Sequence, residues 1–255
     1  MLSALVLGPL VLFCVWQGDL WFACLIAVIA VVGGAEWRKM AQLEARGVGT
    51  ILIMAPLFVL IAIVGASPVA GLLVLGVSVF LALATFGSPW SERRWAVTAL
   101  VHMGVATLAL MYLRQIPESG RDLVFMMFAA VWLSDIGGYV AGRLIGGPKL
   151  APRISPNKTL AGSAGSAVFV LAGALIYGVL MDSHQPFIWI LSLVLSLATQ
   201  AGDLFESWVK RRFNIKDSGT LIPGHGGVLD RVDGVLFAAP VLALFVLVSG
   251  SEFAL

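Results

Sequence analysis

The stretch that decides how this chain folds reads PFIWILSLVLSLATQAGDLFESWVKRRFNIKDSGTLIPGHGGVLDRVDGVLFAAPVLALFVLVSG, residues 186–250. An apolar run over 186–202 gives way to a polar segment, Gly202 to Gly234, and a second apolar run follows over 235–250. Each run approaches the ~20 residues that cross a hydrocarbon layer as a helix. The polar segment holds five acids (Asp203, Glu206, Asp217, Asp230, Asp233), five bases (Lys210, Arg211, Arg212, Lys216, Arg231) and His225. Most charge clusters between apolar runs are solvated loops. This one mixes its charges with glycines and apolar residues, which is not the composition of a disordered segment. Pro223-Gly224-His225-Gly226-Gly227 can turn backbone N–H groups toward one point, the arrangement that holds phosphate oxygens. Asp230 and Asp233 lie three residues apart and would share a helix face. Carboxylates for a hard cation, bases for phosphates and a glycine nest together point to nucleotide chemistry on Mg²⁺.

Outward from this segment the chain is apolar. Hydrophobic residues make up 60% of it and charged residues 12%, against about half and about a quarter in soluble domains. The mean hydropathy is +0.99. Apolar runs fall near 2–16, 20–35, 50–65, 68–86, 95–113, 122–142 and 161–181, before the two already quoted. The expected fold is therefore all-α: a polytopic integral membrane helical bundle of about nine transmembrane helices. The first two runs are separated only by Gln17-Gly18-Asp19 and could instead form a re-entrant hairpin. We expect N-terminal transmembrane helices over 1–120 and a C-terminal catalytic region over 121–255 containing the loop at 202–234. The N-terminus lacks a basic region and a small-residue cleavage site, so the first run is expected to be retained. Cys14 and Cys24 lie inside apolar runs and read as small hydrophobes. Gly71, Gly76 and the stretch Ala161-Gly162-Ser163-Ala164-Gly165-Ser166 read as close helix packing.

A net charge of +2 is too small to imply a nucleic-acid partner, and its distribution says more than its sum. Arg38, Lys39 and Arg46 follow the second run, Arg93 and Arg94 the fourth, Arg143, Lys149, Arg153 and Lys158 the sixth, and the five signature bases the eighth. Fourteen of the sixteen Lys and Arg thus share alternate loops, leaving Arg114 and Arg121 on the other side. The positive-inside rule puts the polar segment in the cytoplasm.

Ser207-x-x-Lys210-Arg211, Lys216-Asp217-Ser218-Gly219, Pro223-Gly224-His225-Gly226-Gly227 and Leu229-Asp230-Arg231-x-Asp233 together resemble the signature of the phosphatidate cytidylyltransferases. These are integral membrane enzymes, also called CDP-diacylglycerol synthases. The resemblance spans some thirty residues at fixed spacing and implies a bacterial-type inner-membrane enzyme of phospholipid biosynthesis. Its reaction would convert phosphatidate and CTP to CDP-diacylglycerol and pyrophosphate. A second stretch, Ser155-Pro156-Asn157-Lys158-Thr159, resembles another motif of the same family. There the family usually continues with an apolar residue and Glu-Gly, where this chain has Leu160-Ala161-Gly162. Any metal, base-recognition or helix-cap role of the missing acid is in question here.

The resemblance implies the following roles. Asp203, Asp230 and Asp233 would hold a divalent metal, chiefly Mg²⁺ or else Mn²⁺, with Glu206 the weaker candidate. Lys210, Arg211, Lys216 and Arg231 would hold the triphosphate and the lipid phosphate, in a motif shared with Ser207 and Asp217. His225, with Gly226 and Gly227, would cradle a phosphate, and His225 could protonate the leaving group. Ser155, Lys158 and Thr159 are expected at the nucleotide. Asp135 follows more than ten uncharged residues, and an acid at that depth usually faces a wet cavity, here a substrate one. Expected partners are CTP, phosphatidate and membrane lipids, with a homodimer left open and no nucleic acid. Two other readings stand beside this one: a transporter or channel lined by intramembrane acids, and a cytidylyltransferase acting on a different lipid phosphate.

Overall fold

The computed structural model describes residues 2–44, 46–85, 87–180, 186–222 and 226–249. Its apolar runs fold as helices whose ends are set by Gly, Pro and side-chain caps. In chain order they are α1 (Leu2–Gln17), α2 (Asp19–Met40), α3 (Arg46–Gly65), α4 (Pro68–Leu83), α5 (Trp90–Gln115), α6 (Gly120–Leu144), α7 (Leu160–Leu180), α8 (Pro186–Arg212) and α9 (Leu229–Ser249). Seven of these nine, among the described residues, are long and apolar enough to cross a membrane. The chain is an integral membrane protein. The shorter two, α1 and α4, have 16 residues each, or about 24 Å of helix.

Local chemistry explains the boundaries. Gly18, at φ 70°, turns α1 into α2, a conformation that glycine adopts without strain. Arg114 Nε donates to the carbonyl of Val15 at 2.9 Å, satisfying one of the orphan carbonyls that end α1. Ser67 Oγ accepts from the Ala70 N–H at 3.2 Å, and Pro68 opens α4, a preferred N-cap and first-turn pair. Gly146 and Gly147, both at positive φ, and then Pro148 stop α6.

An antiparallel hairpin that the all-α expectation did not contain follows: β1 (Lys149–Ala151) pairs with β2 (Ser155–Thr159), with Lys149 opposite Thr159 and Ala151 opposite Ser155. Pro148, Pro152 and Pro156 deny this stretch a helix. The polar segment is also less of a loop than it reads, because α8 continues through Arg212 and α9 already starts at Leu229.

The chain divides into two units, residues 1–117 with 213–232, and 118–212 with 233–255. In the first, α2, α3, α4 and α5 pack together around Phe22, Trp37, Leu52, Leu100 and Met103, all almost fully buried. Trp37 Nε1 reaches the Trp95 carbonyl at 3.2 Å. In the second, α6, α7 and α8 pack around Leu123, Met127, Leu191 and Leu195. The α6–α7 contact is made by small residues, as expected. A Cβ on Gly137 would meet the Gly165 carbonyl oxygen at 2.5 Å, and one on Gly162 the Gly138 oxygen at 2.8 Å. Gly71 is likewise closed in, by Ile63 and Leu108, whereas Gly76 faces open space. Leu72, Leu73, Phe80, Val168, Ile176, Leu244 and Leu247 are exposed, the apolar exterior that a lipid-embedded bundle requires.

Candidate active site

Within the second unit the polar residues of α6, α7 and α8 converge with the hairpin. Ser134 Oγ lies 3.4 Å from Ser196 Oγ, and Ser166 Oγ donates to the Ser134 carbonyl at 2.7 Å. Ser163 Oγ donates to Gln200 Oε1, whose Nε2 reaches Ser196 Oγ at 3.3 Å. Such bonds satisfy polar groups that lipid cannot. Beside them opens a cleft of about 220 Å³, lined in part by Asp135, Asn157, Lys158, Ser163, Gln200 and Asp203.

Two of the expected site residues pair directly at this cleft: Lys158 on β2 forms an ion pair with Asp203 on α8, both half-buried. Ser207, one turn on, donates to Asp203 Oδ1 at 3.3 Å. Asp203 was expected at the end of a span, yet nine further residues of α8 follow it. Those last turns stay helical because they are amphipathic: Val209 is fully buried and Phe205 packs on Phe237 at 5.5 Å. Asp203, Asp135 and Lys210 all stand close enough to act on the charge of half-buried Asp233. Lys210 also forms an ion pair with buried Glu206 at 3.2 Å. Arg211 Nε donates to the Ile154 carbonyl in the hairpin turn at 3.3 Å. Thr159 Oγ1 accepts from the Gly162 N–H at 3.0 Å. Thr159 therefore caps α7 without help from an acid at position 161. Ser155 opens β2 opposite Ala151 and is absent from the cleft wall.

The first unit holds the rest of the signature. Gly226 sits at φ 79°, where a Cβ would meet Asp230 Oδ2 at 2.6 Å. Asp230, expected on a metal, uses that same oxygen to accept from the Ser218 N–H at 2.9 Å and the Gly227 N–H at 2.8 Å, with Ser218 Oγ, whose one proton it shares with Glu36, 2.9 Å away. The Gly227 N–H, expected to face a phosphate, is thus already bound. Lys216, Asp217 and Arg231 are exposed. Pro223, Gly224 and His225 lie outside the described residues.

Among the described residues, no three Asp, Glu, His or Cys side chains form a ready-made metal cage. Mg²⁺ rarely needs one, since it is usually held by one or two carboxylates plus substrate phosphates and water. Asp203 and Asp233, two carboxylates whose charges act on each other, are suitable hard-oxygen donors.

Sequence reasoning did not single out Asn157, Ser163 or Gln200, which are neutral. A signal was present: Ser192, Ser196 and Gln200 recur every four residues along α8, one polar stripe on an apolar helix.

Residues 1–249 match the Cytidylyltransferase family. The chain is similar to a protein of Brucella suis biovar 1 (strain 1330) named phosphatidate cytidylyltransferase, at 40% identity over 252 residues, 96% of this chain and 91% of the relative. A protein of the same name from Bacillus subtilis (strain 168) is 38% identical over 162 residues, 61% of this chain and 60% of its own. One from Staphylococcus saprophyticus is 39% identical over 155 residues, covering 60% and 59%.

Proposed function

The chain belongs to the cytidylyltransferase family, and from that premise we propose how its residues divide the work of the reaction. It is a phosphatidate cytidylyltransferase, which transfers the cytidylyl group of CTP to phosphatidate for phospholipid biosynthesis. A phosphate oxygen of phosphatidate attacks the α-phosphorus of CTP. The bond to the β-phosphate oxygen breaks, and its electron pair leaves with pyrophosphate. The nucleophile is largely ionised near neutral pH, by analogy with a phosphoserine whose second pKa is about 6, so no strong base is required. The barrier lies in bringing two anions together and in the charge of the departing group.

The observation that carries the division of roles is the cleft in the second unit, where Asp135, Lys158 and Asp203 line one space inside an apolar bundle. Asp203 and Asp233 would hold Mg²⁺ or Mn²⁺, which when bound supplies positive charge to the phosphate oxygens. Asp230, the third acid expected on the metal, belongs to the other unit and keeps its Oδ2 on the Ser218 and Gly227 amides. Lys158 orients Asp203 and offers its ammonium to phosphate oxygens. Lys210 and Arg211 add fixed cations from α8, and Lys216 and Arg231 of the signature loop keep the phosphate-binding part expected of them. The distribution of Lys and Arg supports a cytoplasmic position for that loop, and the bacterial source of the relatives supports a bacterial-type inner membrane. Water-soluble CTP and a lipid headgroup can meet there.

The test is pyrophosphate release from CTP by purified protein in detergent, with and without phosphatidate and Mg²⁺. Release should require all three. Equal release without phosphatidate, or none with it, overturns the assignment.

A further inference from the structure

We infer that Glu36, an α2 residue outside both family motifs, is a positioning residue that holds the signature loop in its working shape. It is 9% exposed. Its two carboxylate oxygens receive donors from across the loop: Val228 N–H to Oε1 at 2.9 Å, Leu229 N–H to Oε2 at 2.9 Å, and Ser218 Oγ to Oε2 at 3.2 Å. Leu229 opens α9 and Val228 immediately precedes it, positions whose amides have no partner within the helix. Glu36 therefore caps α9 from a different helix, and its negative charge suits the positive end of the α9 dipole.

The loop is shaped around this carboxylate. A Cβ on Gly219 would lie 2.7 Å from Glu36 Oε1, and one on Gly227 would lie 2.6 Å from both oxygens. Two of the signature glycines are thus places where no side chain fits beside Glu36. Ser218 joins it to the next carboxylate, because its hydroxyl also lies 2.9 Å from Asp230 Oδ2. Asp230 in turn binds the amides of Ser218 and Gly227. Glu36 and Asp230 together clamp both ends of the span from 218 to 229. Lys216, Asp217 and Arg231 flank that span, exposed, and their placement depends on it. The amides of Gly227, Val228 and Leu229 are consequently bonded within the protein.

This inference rests on the reading of the loop as part of the cytidylyltransfer machinery, so its test has one arm that does not use activity. Glu36→Gln keeps the volume but puts an NH₂ group where one amide needs an acceptor. Amide hydrogen exchange over 226–230 should then accelerate by about tenfold or more, while exchange in α3 and α5 stays unchanged. Turnover should fall by about tenfold to a hundredfold, with a higher KM for CTP, since misplacement rather than loss of folded enzyme is at work. Glu36→Asp, which retains both oxygens on a shorter stem, should fall between wild type and Glu36→Gln. If Glu36→Gln does not fold, Ser218→Ala removes one bond of the same clamp and should shift both readouts in the same direction by less. Unchanged exchange over 226–230 overturns the inference. So does faster exchange with unaltered KM and turnover. A wild-type protein without CTP turnover would sink the reaction assignment instead, and the exchange arm would still report whether Glu36 holds the loop.

Discussion

Replacing Asp203 by Asn keeps the outline of the side chain and removes the charge that faces Lys158. If that carboxylate holds the metal, turnover should drop on the order of a hundredfold or more, as when one strong electrostatic stabiliser is removed. The Mg²⁺ concentration for half-maximal rate should rise as well, and Asp233→Asn should behave alike. A metal titration of CDP-diacylglycerol formation decides; near-normal rates with an unshifted dependence in both variants would take them off the metal. Ala161→Glu restores the acid usual in the family, yet Thr159 already caps α7. Its turnover should stay within roughly tenfold, about 1.4 kcal/mol of barrier. A chain that gains activity only with that substitution contradicts this. The Glu206–Lys210 pair is almost fully enclosed, so Glu206→Ala should cost about 3 kcal/mol of stability by breaking a buried ion pair, read as a lower unfolding midpoint in detergent. Asp203 and Asp233 were legible in the sequence as acids of the one polar segment between two apolar runs, and Lys158 through the motif that its stretch resembles. Glu36 was not, since it reads as the basic interfacial end of a helix, beside Arg38 and Lys39, and its donors lie 182 to 193 residues away.

Helices were legible because the hydrophobic signal is long, and each apolar run became one. Their ends were not, for a transfer scale stops at the first charges while the hydrogen-bonded ladder continues. Thus α8 runs ten residues past Gly202 on an amphipathic face, and α5 begins before Arg93 and Arg94. The hairpin escaped notice because its prolines and lysines read as a basic loop. What the sequence could announce was the tight α6–α7 contact, through its run of small residues. That contact should be intolerant: Gly165→Leu, whose side chain would enter the space of Ala141 and the Gly137 carbonyl, should destabilise by about 3 kcal/mol or more. Gly76→Leu, with nothing within 4 Å of the new Cβ, should stay within about 0.5 kcal/mol. Thermal unfolding of the two variants side by side makes the comparison, and equal losses would remove the packing argument.

For the molecule as a whole, the uneven share of Lys and Arg between alternate loops sets a side. A single cysteine at exposed Thr220, in a background without Cys14 and Cys24, should react with an impermeant thiol reagent only after the membrane is opened. Labelling of intact cells from outside would reverse the assignment. Asn214 is the poorer probe position, since its φ of 56° suits Asn better than Cys. The tie between Glu36 and the loop also fixes an order of events during biogenesis. Its farthest donor amides are encoded 192 and 193 residues downstream. At about 5–20 residues per second, the ribosome needs on the order of ten to forty seconds to supply them. Through that interval the nascent α2 must keep its carboxylate in interfacial water or against the insertion machinery. Glu36 can take up its native bonds only once the last helix of the chain has begun to emerge.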